Sequence, residues 1–154
     1  AITSHPGPLQ GCDTVALGSL RYRATATGDF IARWFPDGVT AQALARAPSL
    51  TFSEQDRLQD RWVALRTAPA RRPAIPTHRL ASSHGFVDAC LAGLGWAMNP
   101  EPLVRPALQA GTLVELVANT PLDVALYWQF TRLAAPALHP LTGNIRKAAA
   151  TTLV

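Results

Sequence analysis

Residues 78–101, "HRLASSHGFVDACLAGLGWAMNPE", set how the rest of the chain is read. A short strand-like run, "HRLAS", ends in two serines and a histidine. A helical run over Ser83–Ala92 follows, then a glycine turn, then a second apolar strand closed by Pro100. Strand, helix and strand in such close succession form the unit from which α/β domains are built. In open α/β sheets ligands gather beyond the carboxyl ends of strands, where the next helix presents unpaired N–H groups and the positive end of its dipole. Ser82 and Ser83 add hydroxyls at that corner, which suits a carboxylate, a phosphate or a sulfate. Either serine serves equally well as an ordinary helix N-cap.

Working outward, Ile2 to Ser4 reads as a strand end and "HPGPLQG" as a loop. The alternation of Leu20, Tyr22, Ala24 and Ala26 predicts strands within 13–27. Asp29 is the expected N-cap of a helix over "FIARWF", and Thr40 that of "AQALARA", which ends before Pro48. "SLTF", 49–52, predicts a short buried strand. Ser53 is the expected cap of "EQDRLQDRWVALR", with Leu58, Trp62 and Leu65 on one face. The proline-rich stretch 67–76 predicts a mobile loop. Beyond it, "LVRPALQAG" predicts a short helix ended by Gly111, and "LVELV" a strand. "DVALYWQF", 123–130, alternates Val124, Leu126, Trp128 and Phe130. A last helix is predicted over Pro140–Val154, with Leu141, Ile145, Ala148 and Ala149 inward. Strands alternating with helices predict an α/β fold with a mainly parallel sheet.

The chain has 154 residues, of which 48% are hydrophobic and 16% charged, so it is a globular domain and not a disordered segment. Of its 14 basic residues only Lys147 is lysine, and the arginines are scattered apart from Arg71-Arg72. The net charge of +4 reads as a solvated surface and does not mark a nucleic-acid interface. Cys12 and Cys90 form no C-x-x-C pair, which excludes a zinc ribbon or a thioredoxin motif. Cys90 lies in an apolar helical run and is expected to be buried, and both thiols are expected to be reduced, as in the cytoplasm. No apolar run reaches the length of a membrane span, and the first residues lack the basic start and apolar core of a signal peptide. "AITS" begins in mid-pattern without an initiator methionine, so the chain is expected to be a piece of a longer one.

His84 beside Ser83 invites a base-and-nucleophile reading. However, "SSHGF" is not G-x-S-x-G and no third orienting group is marked, so His84 reads as a first-turn polar residue. His5, His78 and His139 lack the spacing of a metal site, and no glycine-rich phosphate fingerprint is present. No enzyme, metal or cofactor is therefore expected. Glu54, Asp56 and Asp60 form one local acidic group. They read either as a solvated face beside Arg57 and Arg61, or as an anionic wall for a cationic ligand just past the "SLTF" strand.

The stretch "SSHGFVDACLAGLGWAMNPE" resembles the effector-binding domain of LysR-type transcriptional regulators, whose strand, helix, A/G-x-G-x-G turn, apolar strand and proline come in this order. "VALGSLRYRATAT", "ARWFPDGVTAQALARAPSL", "DRLQDRW" and "LDVALYWQF" are similar to the lysine/arginine-exporter regulators, the LysG/ArgP branch. The resemblance covers essentially the whole chain. It implies a two-lobed, type II periplasmic-binding-protein-like α/β effector domain with a complete second lobe over 21–118. The first lobe is partial, made of 1–20 with the hinge and of the return over 119–154.

The resemblance further implies that a small-molecule effector, a basic amino acid such as lysine or arginine, lies in the cleft between the lobes. Ser82, Ser83, His84 and Phe86 would face it from the corner, Thr3 and Ser4 from the first lobe, and Asp56 would meet a cationic end. Trp128, near the hinge, is a ligand contact or core. The family binds DNA through an N-terminal winged helix-turn-helix that this chain does not contain, assembles as homodimers or homotetramers, and acts in the cytoplasm on amino-acid export genes. A solute-binding protein of a transporter shares the fold and is the alternative, against which the "ARWFPDGVT" and "LYWQ" matches weigh.

Overall fold

In the computed structural model, which describes residues 1–7, 9–67 and 73–154, the alternation over 13–27 becomes one long strand, β2 (Cys12–Ala26). The chain divides into two compact units. Unit 1 comprises Ala1–Arg21 and Asp123–Val154, and unit 2 comprises Tyr22–Leu122. Pro8 and residues 68–72 lie outside the described residues, and with them Arg71-Arg72 and half of the predicted proline-rich loop.

In unit 1, β1 (Ile2–Thr3) runs antiparallel to β7 (Leu122–Thr131), with Ile2 opposite Trp128 and Thr3 opposite Tyr127. β7 lies hydrogen-bonded beside β2. Gln129 Nε2 donates to the carbonyls of His5 at 3.1 Å and Gly7 at 2.9 Å, which ties down the loop after β1. The chain end pairs with β2: Ser19 N–H donates to the Val154 carbonyl at 2.8 Å and Val154 N–H to that of Ser19 at 3.0 Å. This close pairing needs Gly18, whose φ is +120° and where a Cβ would stand 3.1 Å from the Val154 carbonyl oxygen. Gly18→Ala is therefore expected to lower stability by about 1–3 kcal/mol, seen as a lower urea midpoint. An unchanged midpoint would mean that β2 takes another path there.

The final helix, α6 (Ala135–Thr152), starts earlier than predicted, because Pro136 is compatible with its first turn. Of the four residues expected inward, Ala149 is buried and Ile145 half-buried, whereas Leu141 and Ala148 are exposed. The Leu141–Ile145–Ala149 stripe is regular, and burial increases along it toward the end of the helix.

In unit 2, β3 (Ser49–Thr51) and β4 (Thr77–Arg79) are parallel, and Ser49 makes a parallel bridge to Trp96 just before β5 (Ala97–Pro100). β2 runs the other way. Tyr22–Thr25 pair antiparallel with β5, and Thr25–Ala26 with β6 (Val114–Glu115). The expectation of a mainly parallel sheet is thus corrected to a mixed one. Helical crossovers keep β3, β4 and β5 co-directional, but none links β2 to its neighbours.

α1 (Gly28–Trp34) is capped by Thr27, whose hydroxyl accepts from Phe30 N–H at 3.2 Å, and not by Asp29, which sits in the first turn. α2 (Ala41–Leu44) is capped by Thr40 as the sequence indicated. α3 (Leu58–Ala64) is shorter than predicted, and Ser53 does not cap it. The Asp56 carboxylate accepts from Phe52 N–H and Leu58 N–H, each at 3.0 Å, and holds 53–57 as a turn. Trp62 and Val63 are buried, but Leu65 is 69% exposed because the helix ends before it. α4 (Ser83–Leu91) and α5 (Glu101–Ala110) follow, the latter ended by Gly111 in the left-handed conformation.

The core of unit 2 has two parts. One gathers Phe30, Phe35, Leu44, Trp62, Trp96 and Met98; the other joins Leu50, Phe86, Cys90, Val104 and Leu113 beneath α4 and α5. Both cysteines are free thiols. Burial pushes the Cys90 thiol up to about 11, against the opposing effect of hydrogen bonds with Thr25 and Asn99. Because the thiolate is the nucleophile, thiol reagents at about pH 8 are expected to label half-exposed Cys12 and to reach Cys90 only in denaturant. Two fast-reacting thiols in the native chain would contradict this packing.

Candidate functional site

The strand ends of unit 2 converge on a cleft of about 350 Å³. Its walls come from Tyr22 at the start of this unit's stretch of β2, Phe52 just after β3, Phe86 and Ser83 on α4, and Met98 and Pro100 on β5. The surfaces are mainly aromatic and aliphatic. Two polar features stand out against them.

Asp56 is the first. Its two backbone hydrogen bonds fix the carboxylate in the cleft wall and leave lone pairs free on both oxygens. Tyr22 is half-buried, and its phenol is raised above its ordinary value by burial and then by the negative charge of Asp56. The phenol therefore keeps its proton and remains a donor. The other two acidic residues of the group are committed elsewhere: Glu54 pairs with Arg79 at 2.9 Å and Asp60 with Arg57 at 3.3 Å, all of them exposed. They form the solvated face that the sequence allowed, and Asp56 is set apart from them.

The second feature is the N-terminus of α4. Ser82 is its N-cap, its Oγ accepting from Gly85 N–H at 3.2 Å, while Phe86 N–H donates to the Ser82 carbonyl. Ser83 lines the cleft beside it. The N–H groups of Ser83 and His84 have no acceptor within the helix, as at any helix start. His84 itself is exposed and is not among the residues lining the cleft.

The structure thus brings Asp56, Ser83 and Phe86 into one cleft and gives Ser82 the capping role. Thr3, Ser4 and Trp128 belong to unit 1. Thr3 Oγ1 accepts from His5 N–H at 3.2 Å, and Ser4 is exposed. Trp128 is buried, with its ring 5.9 Å from that of Phe130 and its N–H donated to Thr142 Oγ1 at 3.0 Å. Tyr22, Phe52, Met98 and Pro100 were missed. The signals were there: Tyr22 belongs to the β2 alternation, Phe52 closes "SLTF", and Met98 and Pro100 alternate within the stretch quoted at the outset.

Among the described residues no group of three or more His, Cys, Asp or Glu side chains is placed to hold a metal ion, and no helix is long and apolar enough to cross a membrane. The cleft has apolar walls, one fixed anion and a donor-bearing helix start. Such an arrangement is chemically suited to an elongated molecule carrying both charges.

A mixed α/β chain with its cleft at the strand ends has the architecture of periplasmic-binding-protein-like ligand-binding domains. Residues 1–150 match the LysR substrate binding domain, and the chain belongs to that family. It is 42% identical over 149 residues to the HTH-type transcriptional regulator LysG of Mycobacterium tuberculosis, covering 97% of this chain and 48% of that protein. The chain therefore spans about half the length of the curated relatives it matches. The C-terminal domains of a LysR family protein from Agrobacterium tumefaciens superpose with a TM-score of 0.94 at 54% identity, over 99% of this chain and 73% of that one. Full-length LysG from Corynebacterium glutamicum with bound effector Arg superposes with a TM-score of 0.84 at 34% identity, over 99% of this chain and 51% of that one.

Proposed function

We propose that this chain is the effector-sensing part of a LysR-type transcriptional regulator and that the cleft of unit 2 binds a basic amino acid. The observation that carries the reading is the pairing, within one cleft, of the backbone-fixed Asp56 carboxylate with the Ser83 end of α4. Asp56 meets the cationic side chain, and the α4 start with the Ser83 hydroxyl meets the carboxylate. The apolar walls take the methylene chain between them. The bound Arg of the Corynebacterium LysG structure supports the ligand class.

The domain works by binding and not by turnover. In the complete regulator, a ligand that favours one arrangement of the domain shifts the equilibrium toward it, and N-terminal winged helix-turn-helix heads on a homo-oligomer carry the change to DNA in the cytoplasm.

Calorimetric titration with arginine, lysine, histidine and leucine tests the reading. Saturable binding of the basic amino acids but not of leucine is expected. Asp56→Asn is expected to weaken arginine binding by about 10- to 100-fold, the worth of a hydrogen bond to a charged group. A melting curve checks that the variant is folded. Arginine binding that Asp56→Asn leaves unchanged would remove Asp56 from the site, and binding of none of the three would remove the ligand class.

A further inference from the structure

Asp56 and Ser53 also line a second, smaller pocket of about 190 Å³. Its other polar walls include Ser49, Gln59, Asp60 and Thr77. Gln59 is only 2% exposed. Its Nε2 donates to the Leu50 carbonyl, which fixes the amide, since the flipped orientation would set two acceptors against each other. Oε1 is thereby held as an acceptor, buried and without a partner among the described residues.

The hydroxyls nearby have their protons engaged. Ser49 Oγ donates to the Pro76 carbonyl at 3.2 Å and Thr77 Oγ1 to that of Ile75 at 3.0 Å, so each offers lone pairs. Arg57 and Arg79 reach the pocket but are committed to Asp60 and Glu54. Three carboxylates against two guanidinium groups leave the lining one charge negative. Acceptors, net negative charge and a buried unpaired oxygen together call for a compact cation with several N–H donors.

We propose that this pocket is a second ligand site, which takes a guanidinium or primary ammonium group on Gln59 Oε1. The group comes either from a small free cation or from the far end of a molecule held elsewhere in unit 2. The test is NMR on the full chain, following the Gln59 side-chain amide during titration with methylguanidinium, and with neutral methylurea as control. A saturable shift with methylguanidinium only is expected. Asp60→Asn with Thr77→Val, both at exposed positions, is expected to weaken it about tenfold or more.

Arginine, followed at the Ser83 and Phe86 amides, reports on the larger cleft separately, so failure of one site is distinguishable from failure of the other. If methylguanidinium moves Gln59 and leaves Ser83 and Phe86 still, the source is a free cation. If arginine moves all three at one concentration, the source is the far end of the cleft ligand. A Gln59 amide that does not shift saturably, or that responds equally to methylurea, would show a water-filled pocket and overturn the proposal.

Discussion

Replacing Trp62 by alanine is expected to cost about 3–5 kcal/mol, a large part of the stability of a domain this size. Trp62 is fully buried in the larger core of unit 2. Its ring lies 5.6 Å from that of Trp96 at 49°, its N–H donates to the Thr120 carbonyl at 2.9 Å, and the Arg66 guanidinium sits 4.2 Å over its face. Truncation removes all three contacts and leaves a cavity that Trp96, rigid and itself fully buried, cannot fill. Trp62→Phe keeps an aromatic ring beside Trp96, loses the N–H, and is expected to cost about 1–2 kcal/mol. Leu65→Ala, one turn further on, is expected to stay within about 0.5 kcal/mol, because Leu65 is 69% exposed. Urea midpoints of the three variants decide the matter. A Leu65→Ala loss comparable with that of Trp62→Ala would mean that α3 continues past Ala64 and buries the face that its periodicity indicates.

The second large effect is expected at Arg23. Its Nε and Nη1 each donate at 2.8 Å, to Glu101 and Glu115 respectively, and all three side chains are about one-fifth exposed. Burial acts to lower the guanidinium, but the hydrogen bonds and charges of the two carboxylates outweigh it and hold it above its ordinary value. Arg23→Met leaves two half-buried carboxylates without their shared cation, and a loss of about 2–4 kcal/mol at neutral pH is expected.

The pH dependence gives a sharper test. Burial acts to raise the Glu101 carboxyl, but Arg23, and after it Arg105, hold it below the usual glutamate range. A folded-state value below the unfolded one means that the unfolded chain binds more protons. This stabilisation is therefore present above the unfolded value and is lost as pH falls through the folded one. Without Arg23, burial remains and the main opposing charge is gone, so the folded value moves upward. Between about pH 7 and pH 4 the gap in urea midpoint between the native chain and Arg23→Met should narrow as the Glu101 carboxylate, left without its main cation in the variant, is protonated. A gap that is constant across this range would show that Arg23 does not hold the carboxylate down.

Much of the candidate site was legible because it is local. The strand, the Ser82 cap, the helix and the following strand all lie within one stretch, where cap chemistry and apolar spacing decide the outcome. The LysR-family pattern was legible for the same reason, since its marks are turns, caps and short apolar runs. Thr40 and Gly111 were read correctly from the same kind of signal. The errors lie at helix starts. Thr27, and not Asp29, caps α1, its hydroxyl accepting from Phe30 N–H. Ser53 does accept from Gln55 N–H, but that contact closes a turn, and α3 begins only at Leu58 with no side-chain cap.

What the sequence by itself determined is the kind of each main element, the corner at Ser82 and Ser83, and the family. The tertiary structure alone decided the direction of β2 against β5 and β6, the separation of Asp56 from Glu54 and Asp60, the burial of Gln59 beside it, and the exposure of Leu65. Periodicity states which side chains share a face, and caps state where a helix begins. Neither states what that face will meet. Strand direction, charge pairing and burial are set by partners distant in the chain, and those partners are chosen only when the elements close on one another.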